Sequence, residues 1–241
     1  MKDVLVLLFT YDRFPLIKQS LDSMFNNPGA NFRLWVVDNG SFFSSLYGDN
    51  SGEKQFNYLL DLYKQGRIEK LLLEKVNYGI HYPLNELLSL AKLTSVIPTI
   101  NRPDYIMTTN DDLIYEDNWL TECIKTYEDL RFKNVGIVSG FHMFHLSGGI
   151  ASGMETFEKV DVGNRTYELK RNVTNSWFMA ADTFLDVMDF FETDHPTENG
   201  DWKKLDIIRN LGMICAITPK EMLHHSPDAQ GKGKWNRLNH W

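Results

Sequence analysis

Cysteine is scarce in these 241 residues. Only Cys123 and Cys215 occur, far apart and outside any CxxC pattern, which excludes a disulfide framework and a cysteine-based zinc site and fits a reducing, cytoplasmic setting. Long apolar runs are missing too. The N-terminal run is broken by Thr10 and Asp12 and lacks a small-residue cleavage pattern, so it reads as a first strand rather than a signal peptide, and no later stretch reaches transmembrane length. Positive charge is in short supply. The formal net charge of −7 argues against nucleic acid as a partner, leaves room only for peripheral contact with a membrane, and means that a polyanionic ligand needs a local countercharge. There is no internal repeat and no low-complexity linker, so one domain over residues 1–241 is expected.

What is present is a regular alternation of strands and helices. "VLVLLFT" is a continuous apolar run, as expected of a strand covered on both faces, and "PLIKQSLDSMF" follows at helical spacing with Pro15 near the helix start. "FRLWVVDNGS" repeats the arrangement, and helical "KQFNYLLDLYKQG" and short apolar "IEKLLLEKV" come after a polar loop. "NYGIHYPLNELLSLAKL" leads a loop into a helix. Such an order predicts a largely parallel sheet with helices on both faces and a ligand site beyond the C-terminal strand ends, where Asp12, Asp38 and Asp112 all fall.

The second half is less regular. "NVGIVSGFHMF" reads as a strand, "ADTFLDVMDFF" as a helix, and "GDWKKLDIIRNLG" as a helix capped by Gly212 before the strand-like "MICAITP". The stretch from Ser147 to Asn172 is polar and contains glycine.

"YIMTTNDDLIYEDNW" holds the sharpest chemical signal, an apolar strand that stops at Asn110-Asp111-Asp112. Adjacent carboxylates at a strand end are hard oxygen ligands suited to Mg²⁺ or Mn²⁺, which fill the rest of their shell from water and substrate phosphate. The same residues also suit a simple turn before the next helix.

In order along nearly the whole chain, "FTYDR", "VVDNGS", "NYGIHYPLN", "TTNDD" and "GDWKKLDIIRNLG" followed by "HH" resemble the GT-A fold glycosyltransferases that use nucleotide-diphospho-sugars, especially the inverting family-two enzymes. The resemblance implies an α/β GT-A fold, a mostly parallel mixed sheet flanked by helices. A nucleotide-binding half would span about 1–115 and an acceptor and catalytic half about 116–241. It implies metal-assisted transfer of a sugar from a UDP-, GDP- or dTDP-sugar to a hydroxyl of a glycan or similar acceptor, as in polysaccharide synthesis.

By the same resemblance, Thr10, Asp12, Arg13 and Asp38 line the nucleoside cleft, with Ser41 beside them, and Asn77 and Gly79 match the family's next loop. Leu84 replaces a residue that is commonly basic. Asn110, Asp111 and Asp112 stand at the Asp-x-Asp signature, with Asn110 a departure: Asn110 and Asp111 then serve the donor, and Asp112 leads as metal ligand. His224 and His225 match a late metal or diphosphate contact, and an extended backbone lets only one of them face the site. Asp201 aligns with the catalytic base and Glu198 is the reserve. Trp177 falls near donor and acceptor, as a stacking surface or as a core residue. The Ser147–Asn172 segment and the tail with Lys232, Lys234 and Arg237 are candidates to order over bound donor.

Two other functions compete. A sugar-1-phosphate nucleotidyltransferase on the same scaffold would carry a glycine-rich basic loop after the first strand, and "FTYDRFPL" has no glycine. A non-catalytic sugar-binding protein would keep the fold without needing Asp112 and Asp201.

Overall fold

The computed structural model describes residues 2–46, 48, 50–79, 81–96, 102–142, 156–173, 176–187 and 200–227. The first half runs β1 (Val4–Thr10), α1 (Phe14–Asn26), β2 (Arg33–Asp38), α2 (Ser51–Lys64), β3 (Lys70–Leu73), α3 (His81–Val96) and β4 (Tyr105–Thr109). Then follow β5 (Leu113–Tyr115), α4 (Trp119–Asp129), β6 (Val135–Ser139), β7 (Thr156–Val162), β8 (Arg165–Lys170), β9 (Ser176–Ala180), α5 (Ala181–Val187), α6 (Gly200–Asn210), β10 (Ile214–Ile217) and β11 (Leu223–His225). A nine-stranded sheet has the order β3-β2-β1-β4-β9-β6-β10-β8-β7, and β5 and β11 form a separate antiparallel pair.

The apolar run of β1 is continuous because both faces of the sheet are covered. Val4, Val6 and Leu8 pack into one core with Ile17 and Leu21 of α1, Leu59 of α2 and Trp119 of α4. Leu5 and Leu7 point the other way, into a second core with Leu87 and Leu88 of α3, Phe184 of α5 and Ile208 of α6. Each fully buried aliphatic side chain contributes about 1.5–3 kcal/mol, so this two-sided burial outweighs what strand propensity alone supplies. Cys123 and Cys215 lie free inside these layers, and burial pushes both thiols up to about 12, which keeps them unreactive.

Topology places the site. β1 pairs in parallel with β2 on one side and β4 on the other, so the chain winds outward to β3 and then returns across β1. A crevice opens beyond the C-terminal ends of strands at such a reversal. Beyond β4 the sheet is mixed, because β9 runs antiparallel to both β4 and β6.

One expectation changes. The described part of the Ser147–Asn172 segment is a β-hairpin, β7–β8, at the far edge of the sheet, and not a loop near the crevice. Its sequence explains why: Val160, Tyr167 and Leu169 alternate with polar residues and fill the core, and Val162 pairs with Arg165 across a two-residue turn whose Gly163 has φ 63°. The tail with Lys232, Lys234 and Arg237 lies outside the described residues.

Candidate active site

Three strand ends meet at the reversal. Thr10 closes β1, Asp38 closes β2, and Asp111 and Asp112 follow β4; all four side chains are buried. Thr10 Oγ1 donates to Asp111 Oδ2 at 2.7 Å. Arg13, the N-cap of α1, reaches across with its guanidinium 3.1 Å from Asp111 Oδ1 and 3.5 Å from Asp112 Oδ2. It supplies the local countercharge that the net charge withholds.

Gln55 of α2 ties these groups together, and nothing in the motif reading pointed to it. Its Oε1 accepts from the Arg13 N–H at 2.7 Å, while its Nε2 lies at donating distance from Thr10 Oγ1 (3.1 Å), Asp38 Oδ1 (3.0 Å) and Ser41 Oγ (2.8 Å). The available signal was positional. Ser51, Gly52, Gln55, Leu59 and Leu62 form the buried stripe of α2, and a glutamine on such a stripe needs polar partners inside. Gly52 allows the approach, since a Cβ there would sit 1.7 Å from the Ser41 carbonyl oxygen.

Asp38 also accepts from Ser41 Oγ. Burial nevertheless prevails over these hydrogen bonds and pushes its carboxyl up to about 6, with Asp12 adding repulsion. Asp12 is held on several sides. Its backbone is left-handed, with φ 38°, its N–H donates to Ser41 Oγ at 2.7 Å, and its carboxylate accepts from Ser44 Oγ (2.6 Å), the Leu46 N–H (2.5 Å) and Ser51 Oγ. These contacts pin the loop after β2 to the strand end and keep Asp12 close enough to Asp38 to bear on its charge.

Asn77 and Gly79 meet the same strand end through Asn39, another residue the motif reading passed over. Asn39 Nδ2 donates to Asn77 Oδ1 (2.7 Å) and to the Gly79 carbonyl (2.8 Å), and Asn39 Oδ1 accepts from the Tyr78 N–H (3.0 Å). Asn110 is half-buried between β4 and the acids.

Of the adjacent acids, Asp111 is paired at both oxygens, whereas Asp112 Oδ1 is buried without a hydrogen-bond partner. Burial raises the Asp112 pKa, and neighbouring Asp111 raises it further against the pull of Arg13 and His225. The Asp112 carbonyl accepts from the Ser226 N–H at 2.8 Å, and pairing of β5 with β11 sets Leu113 opposite His225.

That register separates the two histidines. His225 lies near enough to Asp112 to bear on its charge and packs its ring against Phe141, while His224 turns to Glu116, 3.6 Å away. The expected set of Asp112, His224 and His225 therefore does not converge, and no three His, Cys, Asp or Glu side chains among the described residues form a metal-holding group. The donor set still fits a hard divalent cation that takes most of its ligands from phosphate and water, because an orphaned buried carboxylate oxygen beside an imidazole is what such an ion satisfies.

Trp177 is 4% exposed, with its indole N–H donating to the Val173 carbonyl, so it is a core residue and offers no stacking face. Asp201 lies in the first turn of α6; its side chain, and Glu198 altogether, fall outside the described residues.

No protein-family model and no curated protein sequence matches the chain. Solved structures do. The S. aureus TarS structure superposes with a TM-score of 0.59 at 14% identity over 94% of this chain and 37% of that one. The chain has the GT-A glycosyltransferase fold. A TarS 1–349 structure in complex with UDP gives 0.59 at 14% identity, covering 94% and 60% of the two chains. The mannosyltransferase PcManGT from Pyrobaculum calidifontis, in complex with GDP-Man and Mn²⁺, gives 0.55 at 16% identity, covering 90% and 55%. This chain thus spans between about a third and three-fifths of the length of these neighbours. Among its described residues no helix is long and apolar enough to cross a membrane.

Proposed function

We propose that the protein is an inverting, metal-assisted glycosyltransferase that moves a sugar from a nucleotide-diphosphate donor to a hydroxyl acceptor. The observation that carries this reading is the unpartnered, buried Oδ1 of Asp112 beside Arg13 and His225 at the strand reversal. Two neighbours of the same fold are in complex with UDP and with GDP-Man and Mn²⁺.

Asp38, at the end of β2, accepts from an N–H of the donor base, and Ser41 and Gln55 hold its carboxylate in place for that contact. Arg13 faces the diphosphate as a fixed cation. Asp112 and His225 would hold Mn²⁺ or Mg²⁺, which when bound offsets the charge growing on the departing diphosphate. Asp201, at the start of α6, takes the proton from the acceptor hydroxyl as its oxygen bonds to the anomeric carbon and the bond to the diphosphate oxygen breaks.

A donor screen tests this. UDP-, GDP- and dTDP-sugars are compared for Mn²⁺-dependent hydrolysis and thermal shift, and at least one should respond. Asp112→Asn should lose the Mn²⁺-dependent part of donor binding, and Asp201→Asn should bind donor yet lose transfer by about a thousandfold, in the middle of the range for general base catalysis. Normal transfer by both variants would overturn the assignment.

A further inference from the structure

The end of the sheet opposite the crevice carries a second concavity. β6 and β10 run parallel to β4, so Gly212, Met213 and Ile214 at the start of β10 lie at the far end from Asp112. Arg171, just after antiparallel β8, and Phe157, near the start of β7, fall at the same end. These five residues and Arg209 line an open cavity of about 370 Å³, toward the small end of the about 300–1,000 Å³ that small-molecule sites occupy.

Its walls are apolar and its charge is one-sided. Thr156 pairs with Lys170 and Glu158 with Leu169, which leaves Phe157 as the extra residue of a β-bulge, a device that re-aims a side chain at a sheet edge. Phe157 stays 49% exposed, while Val160 and its cross-strand partner Tyr167 are buried. Gly212 adds no side chain to fill the space, and nothing lies within 4 Å of the position a Cβ would take there. None of the six lining residues is acidic, in a chain whose net charge is −7. Arg209 is set in place. Its Nη1 donates to Oδ1 of buried Asn172 at 2.6 Å and its Nη2 pairs with Asp206, contacts that take two of the five N–H donors of a guanidinium. Arg171 brings a second positive charge on an exposed side chain, from a backbone whose carbonyl accepts from the Cys215 thiol at 3.6 Å.

We infer that this cavity binds a phosphate ester with an apolar substituent, the phosphate on Arg171 and Arg209 and the substituent on Phe157 and Met213. The two guanidiniums come from different elements, the end of β8 and the last turn of α6. From there they can fork onto different oxygens of a tetrahedral phosphate, whereas a planar carboxylate offers a single two-oxygen edge. A soluble ester and a phospholipid headgroup share this chemistry. The site draws on no residue of the crevice, so it stands or falls apart from the transfer reading.

The test uses the full chain. Calorimetry with phenyl phosphate and phenylacetate reads soluble binding, and cosedimentation with phosphatidylcholine vesicles, with and without phosphatidic acid, reads the lipid source. Phenyl phosphate should bind with a Kd below about 1 mM, and phenylacetate about tenfold more weakly. Arg171→Gln and Phe157→Ala replace exposed side chains, so both variants should keep the parent Tm. The first should weaken phenyl phosphate about tenfold, through a lost charge-assisted contact, and the second about fivefold, through lost apolar cover. Cosedimentation that needs phosphatidic acid and is lost in Arg171→Gln assigns the site to a lipid headgroup; phenyl phosphate binding without it assigns a soluble ester. No binding of phenyl phosphate, equally tight binding of phenylacetate, or a Kd that Arg171→Gln leaves unmoved overturns the site.

Discussion

The crevice and the far edge of the sheet use polar residues in opposite ways. At the crevice, Thr10, Asp12, Asp38, Ser41, Gln55 and Asp111 are buried and bound to one another. At the far edge, Lys133 pairs with Glu158 and Lys159 with Glu168 in partly exposed contacts. Exposed pairs of this kind are worth about 0–1 kcal/mol, whereas leaving one buried group unpaired costs about 1–3 kcal/mol. The crevice network is therefore rigid because breaking it is expensive, and the far edge is held mainly by Val160, Tyr167 and Leu169 in the core.

Gln55→Leu should break the contrast most severely. It leaves the Arg13 N–H, Thr10, Ser41 and Asp38 each short of a partner, and we expect a loss of about 3–5 kcal/mol in urea unfolding together with loss of UDP or GDP binding by calorimetry. Asp38→Asn should move stability the other way. The folded carboxyl titrates at about 6 and the unfolded one near 3.8, so stability falls as pH rises between these values, by up to about 3 kcal/mol, and stays low above them. Asparagine can still accept from Gln55 and Ser41, so unfolding midpoints measured from pH 4 to 8 should flatten and rise at pH 7 while nucleotide affinity drops. The smallest change is Gly212→Ala beyond α6. Gly212 has φ 69° and open space around its Cβ position, so only backbone strain of about 1 kcal/mol is added, with nucleotide binding unaltered in the same calorimetric assay.

How much of this was legible depended on how local the cause is. The run in β1, the helical spacing of α1 and α2, and the acids at the ends of β2 and β4 are short-range patterns, and the structure has them where the residues suggested. Gln55 was hidden because its partners Thr10 and Asp38 lie 45 and 17 residues away, and nothing local shows that α2 will pack over them. The choice between His224 and His225 hung on the register of β11 against β5, a pairing of segments more than a hundred residues apart. Trp177 was open to two readings, since only the insertion of β9 between β4 and β6 buries it. The β7–β8 hairpin was legible in its alternation and two-residue turn, but the polar residues and glycines of the stretch drew attention to a segment ordering over the donor instead.

The grip of Ser226 on the Asp112 carbonyl, with Ser226 Oγ also donating to Gln19 of α1 at 2.7 Å, has a consequence for biosynthesis. Chains fold largely from the N-terminus as they leave the ribosome. Strands β1, β2 and β4 are all made in the first half of the chain, yet the corner holding Asp112 waits for a segment made more than a hundred residues later. A nascent chain would have Thr10 and Asp38 at their strand ends well before the corner around Asp112 is closed, so on the transfer reading proposed above the acid corner is the last part of the site to be completed.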